Sequence, residues 1–105
     1  MNIQLTGHHV EVTPALREHL VEKLERVKHH FDQAVEVKAI FSVEKNLQTA
    51  SLNLRSSGHD FHAEDSQENL YAAIDLAVDK LDKQVIKHKK KLNDVSHDTA
   101  KRATA

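Results

Sequence analysis

The chain contains no cysteine, so disulfides, thiolate metal sites and a cysteine nucleophile are all excluded. A reducing compartment fits that composition. Tryptophan is also absent, and one tyrosine with three phenylalanines makes up the whole aromatic complement. Because the phenylalanines read mostly as core, stacking on unpaired bases is not expected to be the main binding mode. Proline occurs once and glycine twice. Gly7, Pro14 and Gly58 each sit between periodic segments, which argues for a regular fold without long linkers. No apolar run approaches the ~18 residues needed to cross a bilayer, and the opening MNIQLTG has neither a basic nor an apolar leader region. A cytoplasmic protein without a membrane partner is expected. No Gly-rich phosphate loop occurs and no carboxylate sits in a Gly-framed loop, so catalysis has no visible seat.

What is present is charge of both signs. The 105 residues carry 15 Lys and Arg against 16 Asp and Glu, a formal net charge of -1, together with nine histidines. The balance hides segregation, since bases crowd Lys80 to Lys91 while acids crowd Glu64 to Asp82, and local field governs binding more than the total does. The length suits one domain, expected over residues 1–93, with 94–105 as a flexible tail.

Periodicity orders the elements. Asn2 to Thr6 alternates, with Ile3 and Leu5 on one side, and reads as a short strand. Thr13 suits an N-cap and Pro14 the first helical position, after which Leu16, Leu20, Leu24, Val27 and Phe31 recur at helical spacing, predicting a helix that ends near His30. Val35, Val37, Ala39, Phe41 and Val43 alternate with Glu36, Lys38, Ile40, Ser42 and Glu44, a half-buried strand in which only Ile40 breaks the pattern. Ala50, Leu52 and Leu54 alternate with Ser51, Asn53 and Arg55; beyond the turn at Ser56, Ser57 and Gly58, a short strand places Phe61 and Ala63 inward. Asp65 with Glu68 resembles a capping box that opens a last helix running to Leu92, whose apolar face is Leu70, Ile74, Ala77, Leu81, Val85 and Leu92. The predicted fold is α+β, in the order β-α-β-β-β-α. It is a four-stranded mixed sheet with two helices packed on one face, the first strand joined to the second by a right-handed parallel crossover.

Two basic stripes remain unexplained by folding. On the last helix Lys80, Lys83, Lys87, Lys90 and Lys91 lie about a third of a turn from the apolar face, and a helix-dipole effect fades within about a turn, too soon to account for Lys80 or Lys83. On the first helix His19, Lys23, Arg26 and His30 form a second polar stripe. Side by side, the two would make a surface for a polyanion. Acidification would add imidazolium charge at His19 and His30 and so tighten such binding. The pairs His8–His9, His29–His30 and His59–His62 lack the spacing and the thiolates of a closed tetrahedral metal site, so no metal is expected.

These residues resemble the short form of the bacterial ribosome hibernation promoting factors, which includes the ribosome-associated inhibitor also called protein Y. The resemblance spans residues 1–92. It is carried by Glu11-Val12-Thr13-Pro14-Ala15-Leu16-Arg17, by Val43-Glu44-Lys45, and most specifically by Tyr71-Ala72-Ala73-Ile74-Asp75 followed by Asp79-Lys80-Leu81, Gln84 and Lys87-His88-Lys89. It implies a protein that binds the small ribosomal subunit in the channel for messenger and transfer RNA and blocks translation in stationary or stressed cells. Ribosome dimers, formed with a helper protein, are a further implied partner, and the chain itself is expected to be monomeric off the ribosome. In this family the basic faces of both helices meet ribosomal RNA backbone, which implicates Lys23, Lys80, Lys83, Lys87, Lys90 and Lys91, with Arg17 and Arg26. No catalytic residue and no cofactor are implied. The long form has an additional carboxy-terminal dimerisation domain, for which this chain is too short. YAAIDLAVDKLDKQVIKHKKK looks closer to the hibernation promoting factor and Ala100 to Ala103 closer to protein Y, so the subtype stays open. The rivals are a protein-protein adaptor using the open sheet face and, behind it, a histidine-dependent hydrolase.

Overall fold

Six elements follow one another as β1 (Asn2–His8), α1 (Pro14–Lys28), β2 (Glu36–Glu44), β3 (Leu47–Ser56), β4 (His59–Gln67) and α2 (Leu70–Thr104). The computed structural model describes the backbone of residues 2–31, 35–56 and 58–104, with side chains up to Lys89. The strands lie in the order β1-β2-β3-β4. β1 runs parallel to β2, with Ile3 opposite Val37, while β2–β3 and β3–β4 are antiparallel hairpins. This is the α+β architecture that the alternating and 3.6-residue patterns predict.

Thr13 and Pro14 start α1 as expected. The Thr13 hydroxyl accepts the Leu16 N–H at 3.2 Å, and Pro14 follows where no intrahelical donor is needed. The helix buries Leu16, Leu20, Leu24 and Val27, which pack with Val37, Ala39 and Phe41 of β2, Leu52 and Leu54 of β3, and Ile74, Ala77, Leu81 and Val85 of α2 in one core. Each fully buried leucine or phenylalanine stabilises by roughly 1.5–3 kcal/mol, so this shared face is what joins helices to sheet. Ile40 keeps the strand alternation: it is an apolar residue on the wet face, 38% exposed.

Two expectations need correction. The last helix does not open at Asp65, because β4 continues through Gln67 and Asp65 pairs opposite Ala50. The cap is Asn69, whose side-chain oxygen accepts the Tyr71 N–H at 2.7 Å. α2 also continues as a backbone element to Thr104, past Leu92 where the apolar stripe ends. The expected tail therefore lies on this continuation, with its side chains outside the described residues. At the β3–β4 turn Gly58 takes φ +79, open to glycine without a Cβ clash; Ser57 beside it lies outside the described residues.

Candidate nucleic-acid interface

The helical period sets His19, Lys23, Arg26 and His30 along one side of α1, and that side faces α2. The residues of α2 that meet them are Asp75, Asp79 and Asp82, spaced by four and three residues and so aligned on one stripe of their own. His19 Nε2 lies 2.6 Å from Asp75 Oδ1 and Lys23 Nζ 3.9 Å from the same oxygen. Arg26 reaches both Asp79, at 3.3 Å, and Asp82, at 3.5 Å. His30 Nε2 sits 2.9 Å from Asp82, whose side chain is only 11% exposed. The α1 stripe is thus matched, side chain to carboxylate, within the fold.

The α2 lysines divide. Lys80 turns toward the sheet, where its ammonium donates to Asp65 Oδ1 at 2.8 Å and to the Glu64 carbonyl at 3.1 Å. That hydrogen bond holds the Asp65 carboxyl below the usual carboxylate range against the upward push of burial, with help from Gln67 and from the Lys80 charge. Gln84, one turn on, donates to the His62 carbonyl at 2.6 Å. Lys83 points outward; it is 75% exposed and shares Asp79 with Arg26, at 3.2 Å. Lys87 is exposed and pairs with no carboxylate among the described residues. The side chains of Lys90 and Lys91 lie outside the described residues. Arg17, two residues before His19, is about 160° around the α1 axis from it, so it stands apart from the seam.

The two sequence stripes therefore do not merge into one basic patch. Between them runs a row of three aspartates, and among the described residues of the α2 stripe the outward cations are Lys83 and Lys87, flanked by the partly exposed Lys23 and Arg26. The aspartate row went unread in the sequence although its spacing mirrors that of the α1 stripe. Of the histidine pairs, His59 and His62 point to opposite sides of β4: His62 bonds Asn53 on the open face at 2.8 Å, whereas the His59 ring lies against His88, centroids 4.6 Å apart.

Comparison with known proteins agrees with the fold. Residues 3–93 match the family profile described as sigma 54 modulation protein / S30EA ribosomal protein. A ribosome hibernation promoting factor of Azotobacter vinelandii is 45% identical over 91 residues, covering 87% of this chain and 85% of that one. The protein of the same name from Escherichia coli (strain K12) is 39% identical over 92 residues, covering 88% and 97%. The crystal structure of the Thermus thermophilus Protein Y N-terminal domain superposes with a TM-score of 0.79 at 34% identity, over 84% of this chain and 99% of that one. A ribosomal subunit interface protein from Coxiella burnetii gives 0.75 at 30% identity, over 87% and 100%. With the profile spanning nearly all of the sheet and most of α2, the chain belongs to the sigma 54 modulation protein / S30EA ribosomal protein family.

Proposed function

We propose that this protein is a ribosome hibernation factor that binds the small ribosomal subunit in the messenger and transfer RNA channel and blocks translation in stationary or stressed cells. The observation that carries the proposal is the family match over residues 3–93, with relatives named ribosome hibernation promoting factor. Residues 1–93 are the binding domain, and inhibition is by occupancy, with no catalytic step and no cofactor. The outer face of α2, Lys83 and Lys87 with Lys90 and Lys91 beyond them, supplies backbone contacts to RNA, and Lys23 and Arg26 extend that surface across the seam. Phosphate contacts of this kind position a protein without reading sequence, and shape complementarity to an RNA channel supplies the rest. Cytoplasmic location follows from such a partner. The adaptor reading gains little from the open sheet face, where Lys38, Asn53 and Arg55 dominate and Ile40 and Leu47 are the exposed large apolar residues among those described.

The test is co-sedimentation of the full chain with ribosomes across a salt series. Binding should saturate near one copy per ribosome and weaken as salt rises. Changing Lys83, Lys87 and Lys90 together to Gln should flatten the log-affinity against log-salt slope by roughly 0.7–0.9 per lost contact, with helicity retained. Binding indifferent both to salt and to the triple change would refute the RNA surface.

A further inference from the structure

Where the end of α1, the start of β4 and the middle of α2 meet, the fold leaves a cleft of about 160 Å³ lined by His30, Phe31, Phe61, Val85, His88 and Lys89, with His59 at its mouth. Its walls are rings. His59 and His88 lie 4.6 Å apart between centroids at 56°, Phe61 meets His88 edge to face at 5.2 Å, and Phe31 tilts against Phe61 at 6.2 Å. Nε2 of His88 is buried and has no hydrogen-bond partner among the described residues, a state that native interiors rarely tolerate without a reason. At the rim the Lys89 ammonium is held by the His30 carbonyl at 3.4 Å, leaving its remaining donors for an anion.

We infer that this cleft receives one unstacked nucleobase of the bound RNA, with Lys89 on the adjoining phosphate. The inference rests on the RNA-binding reading above and deepens it by adding a base contact to a backbone surface. The volume is below the roughly 300–1,000 Å³ of drug-sized pockets and suits a single flat heterocycle. Imidazole and phenyl rings are stacking partners for splayed-out bases. A neutral imidazole presents a donor on one nitrogen and an acceptor on the other, so Nε2 of His88 can meet the hydrogen-bonding edge of a base in the tautomer that the base requires. A metal is the weaker occupant, because no third ligand joins the two imidazoles among the described residues. Lys87, exposed one residue before His88 on α2, adds a second cation to this stretch of the helix.

The decisive measurement follows the imidazole and phenyl resonances of the full chain by NMR while a single-stranded RNA tetranucleotide is added. His59, His88 and Phe61 should shift together. Ribose 5-phosphate, which has no base, and a blunt RNA duplex, which has no free one, should leave them in place. No shift at millimolar oligonucleotide, or an equal shift with ribose 5-phosphate, overturns the inference; saturation by adenosine 5′-monophosphate at lower concentration than the oligonucleotide overturns it in favour of a free nucleotide. On ribosomes, His88→Leu should weaken binding roughly five- to tenfold, in the range of one lost base stack, with an unchanged salt slope because the lost contact is not ionic. His59→Ser, on an exposed strand end, should do the same in the event that His88→Leu perturbs α2; full affinity in both variants also overturns the inference. Wild-type chain that never sediments with ribosomes would instead refute the functional proposal, while the tetranucleotide titration still decides the cleft.

Discussion

The seam between the helices and the outer face of α2 hold similar cations in different states. In the seam Lys23 and Arg26 stand within 3.9 Å of Asp75, Asp79 or Asp82, and His19 and His30 bond the same row. On the outer face Lys83 shares one carboxylate with Arg26, and Lys87 has none among the described residues. A cation already paired must give up or share its partner before it neutralises a phosphate, whereas a solvated one gives up only water and counterions. The contrast teaches that helical period tells where a charge points, and the element packed opposite decides whether that charge is available.

Removing the most buried member of the seam should show the largest effect. Asp82→Ala deletes the carboxylate that holds both Arg26 and His30, and is expected to lower stability by about 2 kcal/mol, read as a reduced urea midpoint at constant m. An unmoved midpoint would mean that the seam contributes charge order and little stability. Next comes a direct contest between the two regions. Lys83→Gln with Lys87→Gln should reduce the salt slope of ribosome binding by roughly 1.4–1.8, with thermal stability retained. Lys23→Gln with Arg26→Gln should reduce it by less than half as much and should lower the melting temperature. Equal slopes in the two doubles would erase the distinction.

Lys80 sharpens the comparison from the sheet side. Lys80→Gln should destabilise by about 1 kcal/mol at neutral pH, a modest figure because the ammonium is half exposed. Asp65 has a lowered folded-state pKa, so its contribution is present above the ordinary value of 3.8 and disappears as pH falls through the lowered one. The stability gap between wild type and variant should therefore be widest near neutrality and close in acid. A gap that widens on acidification would contradict the pairing. The smallest effect belongs to Asp79→Asn. Its stability change should stay within a few tenths of a kcal/mol, as for exposed ion pairs, while ribosome affinity rises because Lys83 is released and Arg26 is left with Asp82 alone.

Much of the fold was legible because its signals are local. Thr13 and Pro14 mark a helix start within two residues, and Val37, Ala39 and Phe41 declare a half-buried strand by parity alone. Asp65 defeated that reading: it occupies an inward position on β4, opposite buried Ala50, and is tolerated there because Lys80 reaches it from the next element and Gln67 donates to its other oxygen. A carboxylate in that place looks like a cap until its partner is known. The candidate surface was legible in half. Local spacing showed both basic stripes, but which side of α2 faces α1 is fixed by the core, and so the pairing of Arg26 with Asp79 and Asp82 had no local signal. The ring-lined cleft was missed for a related reason, since His59, Phe61 and His88 come together only through tertiary packing and histidine was weighed as a metal ligand.

The sheet ends differently on its two sides. Along β4, the Lys80 ammonium and the Gln84 amide cover the carbonyls of Glu64 and His62, so the outermost strand offers few unsatisfied acceptors to a newcomer. β1 pairs on one side only and has no such cover from α2 among the described residues. An uncovered edge is where a foreign strand can add itself. It is also joined to its neighbour through a whole helix, a long loop to close during folding. Amide exchange should accordingly be fastest in Asn2–His8 and slow through β3, and any self-association of this protein on prolonged storage should propagate strand to strand from β1, leaving the α2-guarded margin untouched.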